Sequence, residues 1–409
     1  MFADLGNGDD VPLCDWHAAA RAAGTWRRRA HRLLCWSTAI GAAALPVSMP
    51  LGTVALGVGL FAALLCRAPL QRAPGFALAV IFSVWCLVSV AVTYGGGSLR
   101  LSLVYSWLAF AVGYVVYHDR TTRLLALRLL AASLSAAALL ALAQFTVGLD
   151  PASKPLRLSP DGQRHAMAYG FLGYHLTYGA VAALVLPVFL AEGRRGIVGG
   201  VAGALGALFS VARLAYLGAV AGTVAYATLA AVRRGRALAL ALVVGLTACG
   251  AMAFLAPDKA RAVLEMRDGR FAIWEVTFAI IDDHPILGVG GRSNFERDYV
   301  ARWPEVVGWR PDLPFSEPKM AHPHNSFLSI TANHGLPALG LYLLLLFGFV
   351  HAARRAGARH RQAGAAAAAV LVTFVVAGQF NDLAAQSETG YAFFIALALA
   401  LTGRRVCES

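Results

Sequence analysis

Apolar runs long enough to cross a lipid bilayer recur from one end of this chain to the other, and they restrict its fold more than any other feature. A hydrocarbon core about 30 Å thick takes on the order of 20 apolar helical residues to span. Only helices or closed barrels satisfy every backbone polar group there. Runs at 33–47, 50–65, 76–94, 99–117, 124–148, 168–191, 196–210, 213–231, 237–256, 325–351, 363–381 and 388–403 meet or approach that length. The sequence therefore predicts an all-α polytopic membrane protein of about 12 transmembrane helices. Charged residues are 14% of the chain, against about a quarter in a soluble globule, which excludes a set of water-soluble domains.

Two stretches are expected to form tight hairpins. Pro46 and Pro50 interrupt residues 33–65, and proline breaks a helix by removing a donor and clashing with the preceding turn. Residues 196–231 are too long for one span and carry Arg213 at their middle. A charge at the bilayer centre is costly, so the chain should fold back there and leave Arg213 at an interface.

The net charge of +13 would suggest nucleic acid in a soluble protein. Here the arginines fall in short clusters between apolar runs, with no basic stripe and no nucleic-acid motif, so no such partner is expected. The clusters are Arg27, Arg28 and Arg29; Arg67 and Arg72; Arg120 and Arg123; Arg194 and Arg195; Arg233, Arg234 and Arg236; the run from Arg354 to Arg361; and Arg404 and Arg405. The short loops at 47–49, 95–98 and 382–387, which alternate with them, contain no Lys or Arg. By the positive-inside rule both termini are expected in the cytoplasm. The implied organisation is a cytoplasmic tail over 1–32 leading into an uncleaved anchor, nine helices over 33–256, a large extracytoplasmic loop over 257–324, three helices over 325–403 and a tail over 404–409. The loop should hold short helices around Arg261–Glu265 and from Arg270 to Ile281, then a Gly/Pro turn from His284 to Gly291.

Three groups of residues share the face of that loop. The first is Ser210-Val211-Ala212-Arg213-Leu214-Ala215-Tyr216; the second pairs Arg270 with Trp274 on one helix face; the third is His322-Pro323-His324-Asn325. Separately each has an ordinary structural explanation: a snorkelling arginine, an interfacial tryptophan, a hydrogen-bonding histidine. Together they place cations and a titratable base at one membrane surface. Moving a sugar off a lipid diphosphate needs a base for the acceptor's hydroxyl proton and positive charge for the departing diphosphate. Histidine, with an ordinary pKa of about 6.5, serves near neutrality, and arginine grips phosphate oxygens in a bidentate fork. No metal site is expected: His322 and His324 lack a third ligand nearby, no CxxC spacing occurs, and Asp282-Asp283 point about 100° apart on a helix. The glycines at 288–291 follow no strand and are not a dinucleotide loop.

In their order and spacing these residues resemble the O-antigen ligases and their relatives. His324-Asn325, nine residues, then Gly335 is similar to that family's His-Asn…Gly signature. Ser210-x-x-Arg213-x-Ala215-Tyr216 resembles its Ser/Arg helix-end motif, and Arg270…Trp274 with His284-Pro285…Gly288-x-Gly290…Phe295 its loop motifs. Two details depart from the pattern: Gly335 is followed by Leu336-Pro337-Ala338 before Gly340, and Asn333-His334 replaces an acidic residue common before the glycine. The resemblance implies a metal-independent, cofactor-free inverting glycosyltransferase of GT-C-type membrane fold, working at the periplasmic face of a bacterial inner membrane. Its donor would be an undecaprenyl-diphosphate-linked glycan and its acceptor the lipid A–core oligosaccharide. By position, His324 would be the general base; Arg213 and Arg270, with Arg292 a further candidate, would hold the donor diphosphate. Tyr216, Trp274, Asn325 and His322 would support them. An O-antigen polymerase or a protein-directed oligosaccharyltransferase on the same scaffold stays open. A transporter or lipid flippase is disfavoured, because the spans are almost uncharged apart from Arg213 and Asp382.

Overall fold

A computed structural model describes residues 11–94, 101–149, 167–230, 269–313 and 317–403. Among these residues every regular element is helical. In chain order the α-helices are α1 (Val11–Ala22), α2 (Thr25–Ala44), α3 (Met49–Leu65), α4 (Phe76–Tyr94), α5 (Leu101–Val116), α6 (Arg120–Val147), α7 (His175–Ala191), α8 (Ile197–Phe209), α9 (Arg213–Leu229), α10 (Arg270–Asp283), α11 (Arg292–Trp309), α12 (Ser326–Arg359), α13 (Arg361–Gly378) and α14 (Ser387–Leu401). Phe76–Thr93, Arg120–Val147, Ser326–Arg359 and Arg361–Gly378 are long and apolar enough to cross a membrane, and Met49–Leu65, Leu103–Val116, His175–Ala191 and Ser387–Leu401 are shorter apolar helices. Ile81, Val84, Leu87, Val88 and Val92 of α4 point outward and exposed. A bilayer covers such a face where water would not. The architecture is that of a polytopic membrane protein.

Local chemistry explains the helix ends. Proline at 46 and 50 brackets the turn between α2 and α3, where Ser48 caps α3 by accepting from the Leu51 amide at 3.4 Å. Asp119 caps α6 through the Thr122 amide at 2.9 Å. The apolar stretch 196–231 does fold back, α8 and α9 meeting at the turn 210–212 just before Arg213.

Small residues set the packing of α9 on α13. A β-carbon on Gly218 would meet Ala377 at 3.2 Å, and one on Gly222 would meet Thr373 Oγ1 at 2.0 Å, the spacing by which small residues let helix backbones approach in lipid. At the far end Arg361 Nε donates to the Leu229 carbonyl at 2.9 Å. The pair is therefore antiparallel, and its register brings Arg213 level with the turn that follows Gly378. The opposite end of the bundle holds two ion pairs, Arg21 with Asp119 at 3.0 Å and, from the 120–123 arginine cluster, Arg123 with Glu192 at 2.5 Å.

The structure differs from the sequence expectation in several places. The expected tail over 1–32 contains α1 and the start of α2, because His17 is buried and bonds Val115 O at 3.0 Å and His31 at 2.9 Å. The run 168–191 becomes helical only at His175; ahead of it the backbone crosses to its neighbours, Ala168 N donating to Phe209 O and Gln144 accepting from Tyr169 N and Gly170 N. Helix α11 was not anticipated, its pattern being masked by Pro304 inside the helix. The expected span 237–256 and the helix around 261–265 lie outside the described residues.

The largest difference concerns the run 325–351. Helix α12 extends to Arg359 and is broken at Gly335, whose φ of 82° and ψ of 172° lie outside any helix. A β-carbon there would fall 1.8 Å from the Ile286 carbonyl oxygen. Gly335→Ala should therefore lower the melting temperature of the detergent-purified protein, since backbone strain of this kind alone costs about 1–3 kcal/mol. An unchanged melting temperature would mean that the break does not hold the turn at Ile286.

Candidate active site

The break at Gly335 is where the loop joins the bundle. Interrupting a helix strands the carbonyls of the turn before it. The loop turn between α10 and α11 takes them: Val289 N donates to Ala332 O and Gly290 N to Asn333 O, both at 2.8 Å. Trp85 Nε1 of α4 takes His334 O at 2.9 Å, and Leu336 N donates to Pro285 O at 2.8 Å. Ser89 of α4 completes the junction, its Oγ 2.6 Å from Leu287 O. The close approach requires glycine at 288, where a β-carbon would lie 2.4 Å from the Asn333 carbonyl carbon. The His-Asn…Gly and Gly-x-Gly motifs are thus two halves of one joint.

Above the break stands the short helical piece from 326 to 334, and His324-Asn325 sits at its top. Asn325 is the cap: Oδ1 accepts from Phe327 N at 2.9 Å and Leu328 N at 3.1 Å, while Nδ2 donates to Gln379 Oε1 at 3.1 Å. Ser326 Oγ donates to Asn381 O at 3.1 Å and accepts from Leu383 N at 2.9 Å. Ser329 Oγ donates to Asp382 Oδ2 at 2.7 Å. The turn after α13 is in this way bound to the start of α12.

His324 is held in the left-handed region at φ 52°, a conformation that costs a non-glycine residue about 1–2 kcal/mol. Its amide donates to His322 Nδ1 at 3.3 Å, and the two rings pack edge to face with centroids 4.2 Å apart. Nδ1 of His324 is buried and has no hydrogen-bond partner. Burial, then the neighbouring His322 and the Arg270 guanidinium, lower its pKa to about 4, against the opposing pull of Asn381 and Asp382. The imidazole is therefore neutral at physiological pH and available to take a proton.

Arg270 opens α10 and lies over the Phe380 ring, 5.7 Å from its centroid. One turn on, Trp274 Nε1 donates to Pro323 O at 3.0 Å, which fixes α10 against the segment carrying His324. Arg213, at the start of α9, is brought to this same end by the antiparallel α9–α13 register. Tyr216 is buried and donates to Leu208 O at 2.7 Å, so it braces the α8–α9 turn behind Arg213. Val211 in that turn is itself left-handed, at φ 50°. Arg292 opens α11 and lines a small, partly open polar cavity together with His322, Ser329, Asn333 and Asp382. Among the described residues no three His, Cys, Asp or Glu side chains gather as a metal-ligand set.

Sequence reasoning missed Phe380, Gln379 and the tie from Ser329 to Asp382. The only signal for them was Asp382 itself, a carboxylate in an apolar stretch and 1% exposed in the fold.

Residues 198–343 match the family model described as O-antigen ligase. Over that stretch the chain is similar to the O-antigen ligase family. A comparison with curated proteins finds no match. The matched stretch begins in α8 and ends in α12, so it holds Arg213, Arg270, Arg292 and His324, while the Phe380–Asp382 turn lies beyond it.

The cap at Asn325 separates into two functions by substitution. Asn325→Asp keeps the acceptor for the helix amides, whereas Asn325→Ala loses it at about 1 kcal/mol. The alanine variant should melt lower than the aspartate variant; equal melting temperatures would show that Asn325 acts through Gln379 alone.

Proposed function

We propose that the chain is an O-antigen ligase, transferring a glycan from undecaprenyl diphosphate to the lipid A–core oligosaccharide by an inverting, metal-independent route. The observation that carries this reading is a partly buried histidine packed against the His322 ring and under the electrostatic influence of Arg270, at the bundle end that also receives Arg213. In the proposed step His324 takes the acceptor hydroxyl proton as that oxygen forms its bond to the anomeric carbon. The bond from that carbon to the diphosphate oxygen breaks on the opposite face, inverting the configuration. Arg213 and Arg270 stabilise the negative charge that collects on the leaving diphosphate, which arginine does by charge-assisted paired hydrogen bonds. Trp274 and Asn325 hold the base and one arginine in place; Tyr216 positions the other.

The same reading assigns the twelve-span, GT-C-type topology, with the arginine-rich end and both termini in the cytoplasm and the site at the periplasmic face of the inner membrane. It is supported by the separation of the arginine clusters from the His324 end of the bundle.

Purified protein should move glycan from undecaprenyl diphosphate to rough lipopolysaccharide, and His324→Ala should abolish transfer. Longer donor-linked chains without a lipopolysaccharide product would instead identify a polymerase. Activity should persist in EDTA, because the arginines supply the charge that a metal would otherwise bring; strong inhibition would sink the metal-free route. The pH profile offers a further check. A base is lost when protonated, so kcat/KM at limiting donor should fall only as pH drops through about 4. A fall centred near the ordinary histidine value of about 6.5 would show that the burial seen around His324 does not govern its titration.

A further inference from the structure

The apolar run that leads into α7 is unwound over 167–174, and unwound backbone at membrane depth is tolerated only where protein or a water-filled cavity satisfies it. One side chain answers much of this strap. Gln144, fully buried near the end of α6, accepts through Oε1 from Tyr169 N at 3.0 Å and Gly170 N at 2.9 Å. Its Nε2 donates to Gly170 O at 3.1 Å. Two amides on one side and a carbonyl on the other fix which end of the side chain is oxygen. Gly170 is left-handed at φ 54°, and a β-carbon there would lie 2.9 Å from the Tyr178 ring, so the strap also rests on α7.

The other edge of the strap holds the turn that carries Arg213. A helix leaves its last carbonyls without internal partners, and Phe209 O, at the last residue of α8, accepts from Ala168 N at 3.1 Å. Met167 and Val211 pack together against Phe145, the neighbour of Gln144 in α6. Phe145 also meets the Phe209 ring, with centroids 5.3 Å apart. The turn is thereby gripped at 209 and 211, the second of these two residues ahead of Arg213. Val211 is left-handed at φ 50°, a genuine outlier for a β-branched residue, and such a conformation persists only where its surroundings over-determine it. The bond inside the turn, from Ala212 N to Ser210 Oγ, is long at 3.3 Å. Were the strap to loosen, Val211 could return to negative φ, and that rotation would swing the start of α9, Arg213 first.

We propose that Gln144 is a positioning residue for Arg213: by tying the strap to α6 it keeps Val211 in its left-handed turn and so sets where Arg213 presents its charge to the donor diphosphate. The role of that charge rests on the glycosyl-transfer reading above. The test uses the full chain in nanodiscs, with undecaprenyl diphosphate lacking glycan as the binding probe. Gln144→Met keeps the side-chain length and loses all three bonds, whereas Gln144→Glu keeps the acceptor for the two amides. Gln144→Met should weaken diphosphate binding and raise the donor KM about tenfold, equivalent to about 1.4 kcal/mol. The acceptor KM and the pH at which kcat/KM falls should stay at their wild-type values. Gln144→Glu should recover part of the loss. In an Arg213→Ala background Gln144→Met should weaken binding no further, because residues acting through one another are not additive. Amide hydrogen exchange over 207–214 should quicken in Gln144→Met.

A lower melting temperature with an unchanged diphosphate Kd would make Gln144 a packing residue and overturn the proposal, as would losses that add in the double variant. Unchanged exchange over 207–214 would overturn it whatever the reaction proves to be. Faster exchange there, in a protein whose wild type neither binds the diphosphate nor transfers glycan, would support the hold of Gln144 on Arg213 and refute the reaction.

Discussion

A helix broken at Gly335 and a loop turn that fills the break hold α10 and α11 onto the membrane bundle. Each half alone would leave backbone polar groups unpaired. The break leaves carbonyls at 332, 333 and 334, and an unpaired carbonyl in an apolar setting costs far more than a typical hydrogen bond returns, about 1 kcal/mol net. The turn in its own right exposes the amides of Val289 and Gly290. Each supplies what the other lacks, so loop and bundle close together. Trp85 and Ser89 extend the junction to α4, so the turn between α10 and α11 is tied to both α4 and α12.

The location of His324 follows from this joint. The short helix standing on the break carries Ser326 and Ser329 to the turn after α13, and that turn carries Phe380 and Asp382. Because α13 packs antiparallel on α9 through Gly218 and Gly222, the same turn is also level with Arg213. Residues distant in sequence therefore converge through two packing events: a glycine break that admits a loop, and a glycine pair that admits a helix. The charges they bring are mostly positive, and the one deeply buried carboxylate among them, Asp382, is pinned by the Ser329 hydroxyl.

Much of this was legible in the sequence. The break at Pro46 and Pro50 and the fold-back at Arg213 follow from local chemistry alone, and a helix starting at Arg270 was expected. The order of the Arg213, Arg270 and His324 motifs was enough to suggest a shared face. What escaped was whatever depends on partners far along the chain. Gly335 looks like an ordinary helix glycine until Ile286 arrives against it. Residues 168–174 read as apolar helix, yet their backbone bonds go to Gln144 and Phe209. Helix α11 was hidden by Pro304 and by a polar surface whose ion pairs, such as Arg302 with Asp283, carry no hydropathy signal. His17 and His31 appear as tail residues because nothing local announces the buried contact with Val115.

The electrostatics of His324 bear on the order of events at the proposed site. In the free protein the ring is buried beside His322 and Arg270, which depress its proton affinity. A weak base is a poor proton acceptor, since transfer is most effective when the pKa approaches the working pH. A bound diphosphate would bring negative charge to the same guanidinium that now opposes protonation of the ring. Opposite charge nearby favours the protonated imidazolium, so under the proposed reading donor binding would raise the basicity of His324 as it supplies the carbon to be attacked. Under the proposed reading the base gains strength only when the donor is in place. Without donor, an acceptor hydroxyl would meet a histidine too weakly basic to activate it, and the buried carboxylate of Asp382, already engaged by Ser329, does not replace it.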